Sequence, residues 1–315
     1  MTNPTLVIVN PAAGGGRAGR LWPRLEALMY ASLGDLVIAV TEKPSDVADH
    51  VNMAYSAGWR RVIAVGGDGT SHALVNALLA LDTGDDPMIF GQLPVGTGQD
   101  FARSLQIPAK LPDAIRWLAS AEPHPVDVGH LRYDGGALHF LNISSVGVSG
   151  DVVRRVGNGR RYPWTFWLAS VQSLLRYKKR AVRVLLDGEL WYEGRAWLVV
   201  VANGAWFGRG MAIAPDARIN DGLFDVVLVK DAPRLTAVRA FNTVYSGKHL
   251  QRPEVELRRG KQVDIEVMGG AIPLDLDGEP ADATHLSFSV KPGALQMLYA
   301  ADPSNAGTRE RPSDQ

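Results

Sequence analysis

The sequence predicts an α/β domain built on a mostly parallel sheet, followed by an antiparallel, sandwich-like β domain. Three observations lead there. Over the first 120 residues short β-branched runs alternate with helical patterns. Glycine-rich segments follow three of those runs. After about residue 125 the pattern becomes a succession of strand-like runs punctuated by Asp-Gly pairs. A length of 315 residues suits two domains, which we place at residues 1–125 and 126–290. Residues 291–301 are a candidate segment for rejoining the first domain, and the polar stretch 302–315 reads as a disordered tail.

In chain order, the runs Leu6–Val9, Leu36–Val40, Val62–Val65 and Ile89–Leu93 read as buried strands. Helical patterns lie between them near 20–32, 45–57 and 71–82. Such alternation with short connections implies βαβ crossovers, with ligands bound outside the carboxyl ends of the strands. In the second half, Asp134-Gly135 and Asp187-Gly188 are hairpin signals. The runs Val182–Leu186, Leu190–Trp197, Leu223–Val229, Val255–Leu257, Val263–Val267 and Leu286–Val290 continue the β pattern. Helices near 163–177 and 233–246 interrupt it.

Composition narrows the function. Lys plus Arg and Asp plus Glu both number 33, and that balance argues against a nucleic-acid partner. Cysteine is absent, which excludes disulfides, thiolate metal sites and cysteine nucleophiles. Hydrophobic residues, at 46%, suffice for ordinary cores. The start Met1-Thr2-Asn3-Pro4 does not look like a signal peptide. The apolar stretch Trp197–Ala202 is far short of the ~20 residues of a membrane helix. The expected location is the cytoplasm, with peripheral contact at the inner membrane face as an extension. The seven His residues are scattered without metal-ligand spacing, and oligomeric state is not readable.

The three glycine-rich loops are Asn10–Arg17 (with Gly14, Gly15 and Gly16), Gly66-Gly67-Asp68-Gly69-Thr70, and Leu93–Asp100 (with Gly96, Thr97, Gly98 and Asp100). Glycines at strand ends let backbone N–H groups crowd a polyanion, and a following helix N-terminus adds partial positive charge. One such loop is more often a plain turn; three after strands of one parallel sheet converge on a nucleotide phosphate site. Common motifs fail. Gly14 and Gly19 have P-loop spacing, but Arg20 and Leu21 stand where Lys and Ser/Thr are needed. His72 and Phe101 stand where a dinucleotide fingerprint needs glycine.

Together with Asn203-Gly204, Gly208–Met211, Ala214–Ala217, Asp221–Asp225 and Asp277-Gly278-Glu279, these loops resemble the catalytic domain of diacylglycerol kinases. More narrowly they resemble soluble bacterial lipid kinases, related to sphingosine kinases and to NAD kinases, and the likeness runs from residue 5 to about 300. It departs at Gln99, where the family usually has Asn, and at Ser71-His72-Ala73, where an Asn-Glu pair is common.

The resemblance implies an NAD kinase-like first domain and an ATP- and Mg²⁺-dependent lipid kinase. Asn10, Gly14–Gly16, Thr41, Gly66–Thr70, Gly96–Gly98 and Asp100 would form its nucleotide site. Asp68 would hold Mg²⁺ or its water shell, and the general base would be Glu279 or Asp277. The alternating run Leu274–Asp277 places Asp275, Asp277 and Glu279 on one strand face; a solvated hairpin turn is the plainer reading. The resemblance also implies a structural Mg²⁺ on Asp221 and the carbonyls of Arg218 and Leu223, although Asn220–Gly222 is an equally good turn.

From Val152 to Leu186 there is no acid, while Arg154, Arg155, Arg160, Arg161, Arg176, Lys178, Lys179, Arg180 and Arg183 are interleaved with aromatics. This 154–183 segment suits an anionic membrane interface that delivers a lipid substrate. A competing reading packs the stripe Trp164, Trp167, Leu168 and Val171 on the sheet. Two other functions compete: a kinase for a soluble acceptor such as NAD, and a nucleotide sensor without catalysis.

Overall fold

A computed structural model describes residues 4–84, 86–156 and 163–299 of the chain. The predicted tail 302–315 lies outside them, as do Arg160, Arg161 and Tyr162 and the side chains of Trp164 and Glu279.

The first lobe contains β1 (Thr5–Val9), α1 (Ala13–Leu33), β2 (Leu36–Val40), α2 (Asp46–Ser56), β3 (Arg61–Gly66), α3 (Asp68–Ala80), β4 (Ile89–Pro94), α4 (Asp100–Ser104) and α5 (Leu111–Ser120). Its strands run parallel in the order β2-β1-β3-β4. Leu6, Val7, Ile8, Val62, Ile63 and Phe90 are fully buried. Helices on both faces make continuous apolar strands stable here. α5, absent from the expected elements, buries Leu111, Ala114, Ile115 and Leu118 at helical spacing.

The second lobe contains β5 (Glu122–Tyr133), β6 (Gly136–Phe140), β7 (Ile143–Gly147), α6 (Val148–Val156), α7 (Pro163–Arg176), β8 (Arg180–Leu186), β9 (Glu189–Ala202), β10 (Trp206–Phe207) and β11 (Met211–Ala212). It continues through β12 (Phe224–Lys230), α8 (Arg234–Phe241), β13 (Val255–Gly260), β14 (Gln262–Met268), β15 (Ile272–Leu276), β16 (Glu279–Ala283) and β17 (His285–Tyr299). The hairpins turn at Asp134-Gly135 and at Asp187-Gly188, where φ is +51° and +85°. Those values suit a two-residue hairpin loop.

One sheet runs through both lobes. β17 pairs antiparallel with β5 and β14 and parallel with β4 through Gln296 and Met297, so the chain returns to the first lobe. The second core is a β core of Val182, Val184, Val199, Val201, Phe224 and Phe288. β7, β15 and β16 hang from β9 and carry the acidic hairpin to the carboxyl ends of the first lobe's strands.

Candidate active site

β3 ends at Gly66, and α3 begins at Asp68, three residues earlier than the sequence pattern suggests. Asp68-Gly69-Thr70 is therefore the first helical turn, and the Thr70 N–H donates back to the Gly67 carbonyl at 3.0 Å. The third loop folds onto this turn: Val95 and Gly96 donate N–H bonds to the Gly66 carbonyl at 2.8 and 3.0 Å. The approach is so close that a Cβ on Gly96 would lie 2.4 Å from Gly67 Cα. In the first loop Gly14, Gly15 and Gly16 have φ of +63°, +66° and +81°, and such a left-handed run suits glycine. Asn10 ties that loop to the second by donating to Thr70 Oγ1 at 3.1 Å.

These loops line one cavity of about 1120 Å³. Asn10, Gly14, Gly15, Thr41, Gly67, Asp68, Gly69, Thr70, Gly96, Thr97, Gly98 and Asp100 all reach its wall, whereas Gly16 and Gly66 stand behind it. Asp275, Asp277 and Gly278 reach the same wall from the second lobe. Gln99 turns its amide back onto the carbonyls of Pro94 and Gly96, at 2.9 and 3.0 Å, and so braces the third loop.

Four carboxylates meet here in different states. Asp277 is not on the strand face that alternation suggested. With φ of +47° it begins the turn between β15 and β16. Its oxygens accept N–H bonds from Leu141 (2.9 Å), Asn142 (3.3 Å) and Ile143 (3.0 Å), and His72 Nδ1 lies 3.4 Å away. Asp275 accepts from the N–H of Gly278 at 2.8 Å. Asp100 accepts from Arg209 and Gly210 N–H groups, both at 2.8 Å, and from Arg103 at 2.9 Å. Burial nevertheless holds its carboxyl above the usual value.

Asp68 differs from the other three. Its Oδ1 is buried and has no hydrogen-bond partner. Burial, then Asp100 and Asp277, push its carboxyl up to about 7. A buried orphan oxygen suits a cation, so Asp68 could give one carboxylate ligand to a metal ion whose other ligands come with the nucleotide.

Away from these acids the cavity turns apolar. Val148 and Val152 of α6, Phe166 and Leu174 of α7, Phe241 of α8 and Trp197 of β9 line this part. The stripe of α7 that faces inward is thus Phe166, Ser170 and Leu174. The proposed stripe through Trp167, Leu168 and Val171 is overturned: Trp167 and Leu168 are 46% and 40% exposed. An inward face at helical spacing can be set one residue either way, and only the position of α8 decides it.

The diacylglycerol kinase catalytic domain family matches residues 4–131, and the YegS C-terminal NAD kinase beta sandwich-like domain matches residues 142–299. The chain belongs to the diacylglycerol kinase-like lipid kinase family. Among its relatives, a protein of Mycobacterium tuberculosis named diacylglycerol kinase is 28% identical over 92% of this chain and 93% of its own. One of Chromohalobacter salexigens, named as a YegS-like lipid kinase, is 31% identical over 82% of each chain. The crystal structure of a diacylglycerol kinase from Bacillus anthracis shares the fold with a TM-score of 0.72. It is 24% identical and covers 96% of this chain and 98% of its own.

In this member of the family, residues beyond the sequence-derived set also build the site. Arg209 has φ of +69° between two glycines and lines the cavity; its signal in the sequence is the Gly208–Met211 segment of the resemblance. Asn142 also lines it and donates to the Trp206 carbonyl at 2.9 Å. His72, from the segment that departs from the family, meets Asp277 across the lobes.

Arg218, Asp221 and Leu223 do not reach the cavity. Their loop lies at the crossing of β5 and β17, where Gly222 and Gly293 donate N–H bonds to Asp127 at 2.6 and 2.7 Å. The expected magnesium ligand Asp221 accepts from Arg259 Nη2 and from the N–H of Leu223 at 3.2 Å. Among the described residues no group of three acids or histidines could hold a metal ion. A guanidinium already bound to the carboxylate repels a dication, and the residues do not fit one here.

The basic run is also less bare than its sequence. Arg154 pairs with Asp282, Arg155 with Asp151, Lys179 with Asp231 and Arg183 with Glu193. No described helix is long and apolar enough to cross a membrane.

Proposed function

We propose that the protein transfers the γ-phosphoryl group of ATP, with Mg²⁺, to a hydroxyl of diacylglycerol or a related lipid. What carries this reading is the continuity of one cavity. Glycine loops and Asp68 stand in one part of it, and an apolar wall between helices and sheet forms the rest. A polar acceptor such as NAD would leave that wall uncovered, and burying its polar groups there is unfavourable. A sensor would not need an apolar chamber next to the phosphates.

The backbone N–H groups of the three loops and the α3 N-terminus hold the triphosphate. Asp68 is the group that would hold Mg²⁺ or its water shell, which would supply charge neutralisation at the phosphates. Both oxygens of Asp277 are engaged by N–H groups, so its role is to position the β15–β16 turn. Glu279, two residues on, is assigned the base. It takes the proton of the lipid hydroxyl as that oxygen bonds to the γ-phosphorus, the β–γ bridge breaks, and ADP leaves. The acyl part lies along Val152, Phe166 and Leu174.

Trp167, Leu168, Leu175 and Leu235 are exposed on α7 and α8, the helices that wall the apolar part. We assign this ridge to peripheral contact with a membrane on the cytoplasmic side, where the substrate enters. Labelled ATP and Mg²⁺ with diacylglycerol in mixed micelles should yield labelled phosphatidate. Transfer to NAD with none to lipid would overturn the assignment.

A further inference from the structure

The loop 218–223 has the charge balance of a cation site whose cation is covalently part of the chain. β13 lies antiparallel to β12 in a register that sets Arg259 directly across from Asp225. Its guanidinium then faces two carboxylates. Nη2 donates to Asp221 Oδ2, and Nε lies 3.5 Å from Asp225 Oδ2. Asp225 is 2% exposed, so its charge cannot be answered by water. The loop in turn ties β5 to β17 and, through Asp127, to the turn after β9. Asp127 of β5 donates its N–H to the Ile219 carbonyl at 2.7 Å and accepts from Gly222 and Gly293. Asn220 donates to Tyr299 Oη at the end of β17 at 3.2 Å. Asn203 Nδ2 donates to the Asp127 carbonyl at 2.9 Å.

We infer that Arg259 is the built-in cation of this junction, serving where the family resemblance implies a structural magnesium ion, so that the chain fastens its lobes without metal. A planar guanidinium suits this place because its Nε and Nη2 sit in a fixed fork that can address two carboxylates at once. The inference does not depend on which acceptor is phosphorylated.

The test uses the full chain without nucleotide, with Asp68→Asn present throughout so that the cavity carboxylate does not report on added metal. After dialysis against EDTA, elemental analysis should find no stoichiometric magnesium or calcium. The melting temperature should be the same in EDTA and in millimolar Mg²⁺. Arg259→Met keeps the apolar stem and removes the charge. It should melt several degrees lower, and Mg²⁺ or Ca²⁺ should raise its melting point. Adding Asp221→Asn should abolish that response. One tightly held ion per Asp68→Asn chain, with melting lowered by chelator and restored by Mg²⁺, would overturn the inference. So would an Arg259→Met protein that melts like its parent in EDTA. Where Arg259→Met does not fold, the chelator comparison on the Asp68→Asn protein still decides.

Discussion

Two groups of acids lie in this molecule, and they are treated in opposite ways. At the lobe junction Asp221 accepts from Arg259 and Asp127 accepts two backbone N–H groups, while Asp225, whose buried Oδ2 makes no hydrogen bond, has the Arg259 guanidinium 3.5 Å away as its counter-charge. In the cavity Asp100 and Asp277 are likewise occupied by N–H donors, but Asp68 keeps a buried oxygen without a partner. An answered charge holds loops in place, whereas an unanswered one costs stability and is retained where a ligand completes it. The contrast separates structure from chemistry more sharply than the residue types do.

Breaking the unanswered side should have the largest effect. Asp68→Asn should lower phosphoryl transfer by roughly 10³-fold, in line with the loss of one charge-stabilising group, while circular dichroism stays unchanged. The same substitution should stabilise the nucleotide-free protein at neutral pH and above. The Asp68 carboxyl is raised to about 7 in the fold, so the folded state binds more protons than the unfolded one between about pH 4 and 7. Stability falls as pH rises through that window. The melting advantage of Asp68→Asn should therefore grow from about pH 4 to 7 and vanish below it. An advantage independent of pH would remove the argument from burial.

Crowding the loops comes next. Gly96→Ala places a Cβ 2.4 Å from Gly67 Cα. It should cost about 2 kcal/mol of stability and abolish ATP binding measured by calorimetry. Asp277→Asn exchanges an answered carboxylate for an amide that still accepts hydrogen bonds on one side only. Unfolding should lose about 1–3 kcal/mol, and kcat should fall about 10-fold or more through the displaced turn, read as kcat with little change in the ATP KM. If kcat were lost as completely as in Asp68→Asn, Asp277 would belong with the chemistry and not with the scaffold.

The smallest effects belong to the apolar part of the cavity. Leu174→Trp fills space beside Phe166 and Trp197 and should raise the lipid KM about 10-fold without changing ATP affinity. Trp167→Asp, on the exposed face of the same helix, should weaken sedimentation with anionic vesicles and leave micelle activity near the original level. Equal loss in both assays would join the ridge to the cavity.

The legible parts of the molecule share one property: their signal is local. β1 and β3 announce themselves because helices on both sides make each residue apolar. The glycine loops do so because tight approach to a polyanion admits little else. The helix α5 is harder to read although its apolar spacing is regular, since Pro108 and Pro112 crowd its start and proline punctuates a pattern. α6 was hidden because Val148-Ser149-Gly150 follows a strand of similar composition. Asp277 illustrates the remaining gap. Its three backbone donors are 134 to 136 positions earlier in the chain, and alternation within residues 274–279 cannot reveal them. Arg259 was missed for the same reason, because its partner Asp221 lies 38 residues away.

By itself the sequence determined a two-lobed α/β-plus-β architecture, three glycine-rich loops at strand ends and the residue types available for chemistry, since these follow from periodicity and from what glycine alone permits. Only the folded chain decided which acids are neutralised, which side of α7 faces inward, and that the glycine loops open into an apolar chamber. Those outcomes depend on distances between segments far apart in the chain, and burial and charge are properties of the assembled neighbourhood, not of the residue.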